Sequence, residues 1–80
     1  MSRQDIIDKL NEVFRGYFDD EEITLTDEST ADDIEDWDSL EHIGLIVAIE
    51  SAFDIKFSMG ETIKMKNIGE MVEAIVAKLN

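Results

Sequence analysis

Cysteine and proline are both absent from this chain of 80 residues. Without cysteine the fold has no disulfide staples, thiolate nucleophile or thiolate metal site. Without proline, no helix carries a built-in break. The chain also lacks an apolar run long enough to cross a membrane, and its first residues lack the apolar stretch of a secretion signal. We therefore expect a soluble cytoplasmic protein with no membrane insertion.

Basic side chains are scarce, since 7 lysines and arginines stand against 20 acidic residues, giving a net charge of −13. Residues 1–40 hold 14 acidic and 3 basic side chains, whereas residues 41–80 hold 6 and 4. Nucleic acid is disfavoured as a ligand because its phosphates would be repelled. A basic protein surface is the natural partner, although solubility explains the charge equally well.

Helical spacing dominates the apolar pattern. Three segments place apolar residues at steps of three and four, namely residues 3–18, residues 40–53 and a last helix that follows a cap at Asn67. Residues 60–64 fit a short third helix, and no segment predicts a strand. The length suits one domain over residues 1–80. The pattern predicts an all-α fold, a small four-helix bundle of three main helices and one short helix, which we expect to be monomeric.

A long loop, residues 19–38, separates the first two main helices and is rich in Asp, Glu, Ser and Thr. A loop of this length in so small a domain is usually functional or mobile. Spaced apolar residues predict that the loop is pinned to the core at several points: Ile23, Leu25, Ala31, Ile34 and Trp37. Residues 30–33 fit a short helical turn. Three methionines are expected to fill gaps in the core: Met59, Met65 and Met71.

The second main helix is too apolar for one buried face. One stripe at helical spacing comprises Leu45, Ile46, Ile49 and Phe53. A second stripe, rotated away from the first, comprises Leu40, Ile43 and Val47. One stripe can face the core. The other is either buried by another helix or left exposed to dock a partner.

Ser39 lies at the start of this apolar helix, directly after the acidic loop. The N–H groups and the positive dipole end of a helix start stabilise an attached phosphate by about 0.3–1 kcal/mol. The location is also exposed, so a modifying enzyme can reach the hydroxyl. An ordinary helix cap, provided by Asp38 or Ser39, is the commoner role for a lone serine at such a place. These residues by themselves leave both roles open.

The segment around Ser39 resembles the acyl carrier protein family. Asp38-Ser39-Leu40-Glu41 is similar to the attachment motif of that family, and residues 46–55 are similar to the end of its second helix and the turn that follows. The resemblance covers nearly the whole chain, with its specificity in residues 36–55. It implies that a phosphopantetheinyl transferase attaches a covalent 4'-phosphopantetheine arm to Ser39. It also implies that Asp38 helps to hold the phosphate during the transfer.

The same resemblance implies a non-catalytic carrier rather than an enzyme. Acyl intermediates would be held as thioesters on the arm and delivered to acyl-transferring or condensing enzymes of fatty-acid, polyketide or related specialised biosynthesis. Recognition by basic docking patches on these enzymes would use the second helix, through Asp38, Leu40, Glu41, Ile43, Val47 and Glu50. The family also suggests that the bundle parts to shelter an acyl chain.

Three features depart from the housekeeping fatty-acid carriers that the chain resembles. Trp37 stands where a small residue is usual, and Gly44 replaces an acidic residue that helps those carriers to dock. Ser58-Met59 stands in place of a frequent pair of proline and an acid. These departures favour a dedicated carrier of a specialised pathway.

Other chemistry fits the residues less well. His42 is the only histidine, so a zinc site without cysteine is disfavoured. In a triad of Ser39, His42 and Asp38, the acid would adjoin the serine instead of orienting the histidine, and nothing supplies an oxyanion hole. The acidic runs, residues 19–22 and 32–36, lack the glycine of an EF-hand loop. The alternatives that stay open are an acidic helical protein-interaction module without a prosthetic group and a calcium-responsive helical protein.

Overall fold

A reciprocal capping box begins the first helix, α1, which spans Arg3–Phe18 in a computed structural model that describes residues 1–79. The Ser2 hydroxyl accepts the N–H of Asp5 at 3.1 Å, and the Asp5 carboxylate accepts the N–H of Ser2 at 3.1 Å. Asp19 ends the helix in the left-handed conformation, with φ of 52°. The predicted bounds of this helix are confirmed.

The remaining helices are α2, Ser39–Phe53; α3, Met59–Ile63; and α4, Ile68–Leu79. A 3₁₀ turn, Ala31–Asp33, interrupts the long loop. Within residues 1–79 the chain has no strand, and the predicted all-α bundle of three main helices and one short helix is confirmed. The short helix starts one residue before the predicted position because Ser58 caps it, its hydroxyl accepting the N–H of Glu61 at 3.2 Å.

One hydrophobic core forms where α1 packs against α2 and α4. These helices contribute Ile6, Leu10, Phe14, Leu45, Ile46, Ile49, Phe53, Ile68, Met71, Val72 and Ile75. Met65 and Met71 are buried, as predicted. Met59 is 80% exposed, so the prediction that it fills a core gap is wrong. The reason is that Met59 begins α3, a helix with no buried residue.

The long loop is anchored to the core by four apolar side chains: Ile23, Leu25, Ile34 and Trp37. Ala31 is exposed because it begins the 3₁₀ turn on the outside, so its predicted anchoring is wrong. Polar side chains of α1 add further ties. Asn11, which is buried, accepts the N–H of Leu25 at 2.8 Å. Arg15 donates to the carbonyl oxygen of Ile23 at 2.7 Å. The loop is therefore a packed layer of the fold.

The loop also completes the start of α4. The N–H of Ile68 donates to the carbonyl oxygen of Ser29 at 2.9 Å, and the N–H of Gly69 donates to that of Asp27 at 2.9 Å. A Cβ on Gly69 would lie 3.1 Å from the Asp27 oxygen, so a glycine suits this close approach. The predicted cap by Asn67 is present, since its side-chain oxygen accepts the N–H of Glu70 at 2.8 Å.

Candidate functional site

Ser39 is the first residue of α2, and Asp38 precedes it as the N-cap. The Asp38 carboxylate accepts the N–H of Glu41 at 2.8 Å. Of the two candidate caps, Asp38 therefore does the capping, and the Ser39 hydroxyl is not needed for that role. Both residues are exposed. The result is an accessible hydroxyl at a helix start, where the dipole favours an attached anion.

The two apolar stripes of α2 have different surroundings. The stripe of Leu45, Ile46, Ile49 and Phe53 is buried in the core. The second stripe lies on the surface, with Leu40 76%, Ile43 68% and Val47 60% exposed. The structure thus selects the second of the two predicted alternatives, an apolar face left open on the outside of α2.

Two residues that sequence reasoning missed extend this open face. Met59 is 80% exposed and Ile63 is 74% exposed, and both belong to α3. A signal for them was present, because apolar residues four positions apart share one face of a helix. We call the five exposed side chains the apolar rim, defined as Leu40, Ile43, Val47, Met59 and Ile63.

A groove of about 710 Å³ runs between α2 and α3 and reaches Ser39. Asp38 and Ser39 lie on its border. Four residues of the apolar rim line it, namely Ile43, Val47, Met59 and Ile63, and the polar residues His42, Thr62 and Lys66 also line it. The exposed hydroxyl of Ser39 therefore stands beside a largely apolar groove, an arrangement that sequence reasoning did not predict.

The three acidic residues predicted for docking sit in different environments. Asp38 is exposed, whereas Glu41 and Glu50 are half-buried. The Tyr17 hydroxyl donates to Glu41 at 3.0 Å, and the N–H of Phe57 donates to Glu50 at 2.7 Å. Burial, and next the hydrogen bond to Glu41, raise the pKa of Tyr17 above its ordinary value. Glu41 and Glu50 thus have internal partners as well as accessible surface.

Gly44 has a steric role that the sequence did not show. A Cβ at this position would overlap the hydroxyl of Tyr17. The Tyr17 ring lies across α2 at this point, and its hydroxyl reaches Glu41 one turn earlier in that helix. The missing acid at position 44, read from the sequence as a change in docking, therefore also accommodates a side chain of α1.

Trp37 and His42 join the loop, α2 and α3. Trp37 is buried and packs edge-on against Phe14, with ring centroids 5.2 Å apart. Its indole nitrogen donates to His42 Nδ1 at 3.1 Å, and His42 Nε2 lies 3.2 Å from the carbonyl oxygen of Thr62. Because both ring nitrogens have these partners, His42 is not placed to act as a base on Ser39.

Two further features concern the described residues as a set. Among residues 1–79 there is no group of three or more His, Cys, Asp or Glu side chains that could hold a metal ion. None of the helices described is long and apolar enough to cross a membrane.

The chain is similar to known proteins over nearly its whole length, although no protein-family model matches it. The chain is 34% identical over 82 aligned positions to the acyl carrier protein of Petrotoga mobilis, and the alignment covers 100% of this chain and 94% of that protein. The structure matches the solution structure of a holo acyl carrier protein from Geobacter metallireducens with a TM-score of 0.85 and 46% identity. That match covers 91% of this chain and 84% of the other.

Proposed function

The chain belongs to the acyl carrier protein family, and from this premise we propose that Ser39 carries its 4'-phosphopantetheine arm. The observation that carries this proposal is the position of Ser39, an exposed hydroxyl at the first residue of α2 and on the border of the groove. The arm, when bound, supplies a thiol that holds acyl groups as thioesters. The protein supplies position and recognition, and visiting enzymes supply catalysis.

The surroundings of Ser39 fit an attached phosphodiester. A helix start leaves its first backbone N–H groups without helical partners. The Asp38 carboxylate accepts one of them, the N–H of Glu41. The dipole of α2, a helix of 15 residues, favours the negative charge of the phosphate at this end. The groove offers room for a flexible arm beside the attachment point. We further propose that Asp38 helps to orient the phosphate during its transfer to the hydroxyl.

Intact-mass measurement tests the attachment. The chain is co-expressed with a broad-specificity phosphopantetheinyl transferase, and we expect an added mass of one phosphopantetheine. The Ser39→Ala variant should lose the added mass. Ser51→Ala is the matched control, since Ser51 is an exposed serine further along the same helix, and it should keep the mass. An unmodified wild type would favour an acidic interaction module instead, and added mass that persists in Ser39→Ala would place the arm elsewhere.

We propose that partner enzymes dock over the apolar rim and the charges around it. Residues 34–54 hold six acidic and no basic side chains, which suits a basic patch on the partner. Within this stretch we assign contacts to Asp38, Leu40, Glu41, Ile43, Val47 and Glu50. The partners in question are the transferase and the acyl-transferring or condensing enzymes. Their contacts should be brief and sensitive to salt, because one carrier serves several enzymes in turn.

We also propose that residues 1–80 act as one monomeric carrier domain in the cytoplasm, dedicated to a specialised pathway. Support for the dedicated role comes from Met59 and Ile63, which make the exposed face of α3 apolar. An enzyme whose basic side chains bind acidic residues on α3 would meet apolar side chains at these two positions. Sedimentation analysis checks the monomer. Turnover by a housekeeping fatty-acid condensing enzyme as fast as with that enzyme's own carrier would contradict the dedicated role.

A further inference from the structure

The two helices that form the groove are held with unequal strength. Four side chains of α2 are buried in the core, whereas α3 has none. Polar contacts tie α3 in place. The Thr62 carbonyl oxygen lies 3.2 Å from His42, and Glu61 pairs with Lys78 at 2.9 Å. A segment with few buried apolar contacts opens more readily than the core around it. Between the two walls of the groove, α3 is therefore the one able to move.

His42 connects this wall to the rest of the fold through both of its ring nitrogens. The indole nitrogen of Trp37 can only donate, so Nδ1 of His42 must be the unprotonated acceptor. In the neutral ring the hydrogen then lies on Nε2, which donates to the carbonyl oxygen of Thr62. This single tautomer satisfies both contacts. The two rings are also nearly coplanar, with planes 25° apart and centroids 5.8 Å apart, as the bond between their nitrogens requires.

The position of this bridge matters for the arm. His42 follows Ser39 by one helical turn and lines the same groove. Thr62 stands next to Ile63, one of the two α3 side chains of the apolar rim. A change in the bond between His42 and Thr62 therefore acts at the end of the groove that an acyl chain would enter from Ser39.

We propose that His42 is a positioning residue that sets the opening of the groove beside Ser39. With the bridge from Trp37 through His42 to Thr62 intact, α3 is held in its observed position across the groove from α2. When the bond to Thr62 breaks, α3 moves outward and the groove admits more of the acyl chain. This inference rests on the proposed function, because the acyl chain reaches the groove from an arm on Ser39.

Two substitutions separate the two bonds of the bridge. In His42→Asn, the side-chain oxygen stands near the place of Nδ1 and accepts from Trp37, but the amide is too short to reach Thr62. In His42→Gln, the longer amide donates to Thr62 and gives up the bond to Trp37. His42→Gln therefore keeps the hydrogen bond to α3, and His42→Asn is the matched variant that loses it. Thermal melts and Trp37 fluorescence show that each variant is folded and report the state of the indole.

Amide hydrogen exchange on the unmodified chain is the first readout. Loss of one hydrogen bond should speed exchange of residues 59–63 by about two- to tenfold in His42→Asn. His42→Gln should exchange at close to the wild-type rate. Equal rates in all three proteins would overturn the bridge as the device that holds α3. Equal acceleration in both variants would attribute the effect to ring packing instead of the bond to Thr62.

Protection of a loaded acyl chain is the second readout. The transferase loads each protein from octanoyl coenzyme A, and hydroxylamine then cleaves the exposed thioester. We expect cleavage to slow by about two- to tenfold in His42→Asn, in proportion to the loosened contact, and to be unchanged in His42→Gln. If His42→Asn speeds amide exchange in α3 but leaves thioester cleavage unchanged, His42 does not set the opening of the groove. A chain that takes up no octanoyl mass refutes the attachment at Ser39, while the exchange experiment still decides whether His42 holds α3.

Discussion

At the scale of single residues, Gly44 and Tyr17 are matched across the contact of α1 with α2. The Tyr17 ring is half-buried, packs edge-on against Phe18 with centroids 5.1 Å apart, and donates to Glu41. A Cβ at position 44 would overlap its hydroxyl. The helix thus gives up the backbone rigidity that alanine would supply, about 1 kcal/mol, in order to keep this contact.

Whether Gly44→Ala stabilises or destabilises the fold should depend on Tyr17. In the wild-type background we expect the free energy of unfolding to fall by about 1–2 kcal/mol, because the Tyr17 ring must shift and its hydrogen bond to Glu41 breaks. In a Tyr17→Ala background the obstacle is gone, and the same substitution should stabilise by about 1 kcal/mol through helix propensity. Urea unfolding of the four proteins measures both effects. A stabilising effect of equal size in both backgrounds would show that the ring yields without cost.

Asp38 combines a cap with a charge, and two substitutions divide these roles. Asp38→Asn keeps the side-chain oxygen that accepts the Glu41 N–H, so stability should change by less than about 0.5 kcal/mol. Asp38→Ala removes the cap as well and should cost about 1 kcal/mol. Both should slow modification of Ser39 by the transferase, which mass spectrometry follows over time. Modification by Asp38→Asn at the full wild-type rate would leave Asp38 as a cap alone.

At the scale of elements, α3 depends on a titratable cap. The Ser58 N–H and then Lys78 lower the pKa of Glu61 from 4.5 to about 2. Because the folded pKa lies below the ordinary value, the ionised carboxylate is favoured in the folded state. This stabilisation is fully present above pH 4.5 and is lost as the pH falls toward 2.

Glu61→Gln should therefore lower stability at neutral pH and flatten the loss of stability between pH 4.5 and pH 2. Thermal unfolding across this range measures the slope for wild type and variant. Glu12→Gln, which changes an exposed carboxylate on α1, is the control and should keep the wild-type slope. The same slope in Glu61→Gln as in wild type would mean that this cap does not couple α3 to pH.

The sequence predicts the main elements well because their order is local. Apolar residues at helical spacing locate α1, α2 and α4, and an N-cap residue at Ser2 or Asn67 locates a helix start. Local patterns do not predict contacts between segments that are distant in the sequence. Asn11 binds the backbone of Leu25, and Tyr17 binds Glu41, only after the loop and α2 have packed on α1. The pattern therefore locates the helix start at Ser39 and the two stripes of α2, and the family resemblance assigns Ser39 its role. Neither shows which stripe is open, nor the groove or the bridge through His42, which need α3 in place.

At the scale of the whole molecule, acidic repulsion opposes folding. The net charge is −13 on a body of 31 × 25 × 22 Å. At about 20 mM salt the screening length is about 20 Å, so charges repel one another across the domain, whereas at about 500 mM it is about 4 Å. Salt should therefore stabilise the fold by relieving self-repulsion.

We expect sodium chloride at about 500 mM to raise Tm by about 5 °C relative to about 20 mM, equivalent to about 1 kcal/mol for a domain of this size. Calorimetry measures the shift. A variant that neutralises exposed loop acids, Asp19→Asn with Glu21→Gln and Asp32→Asn, should gain less from salt. A Tm that falls with salt would show that attractive ion pairs, such as that of Arg3 with Asp27, outweigh the repulsion.

The backbone bonds from the start of α4 to the long loop bear on the order in which the chain folds. Ile68 and Gly69 donate to Ser29 and Asp27, so these bonds close a segment of roughly 40 residues. The first turn of α4 cannot be completed until the loop has docked on α1, which makes this closure a late step compared with helix formation. Substitutions at Gly69 should then speed unfolding and leave the refolding rate nearly unchanged, the signature of a contact formed after the transition state.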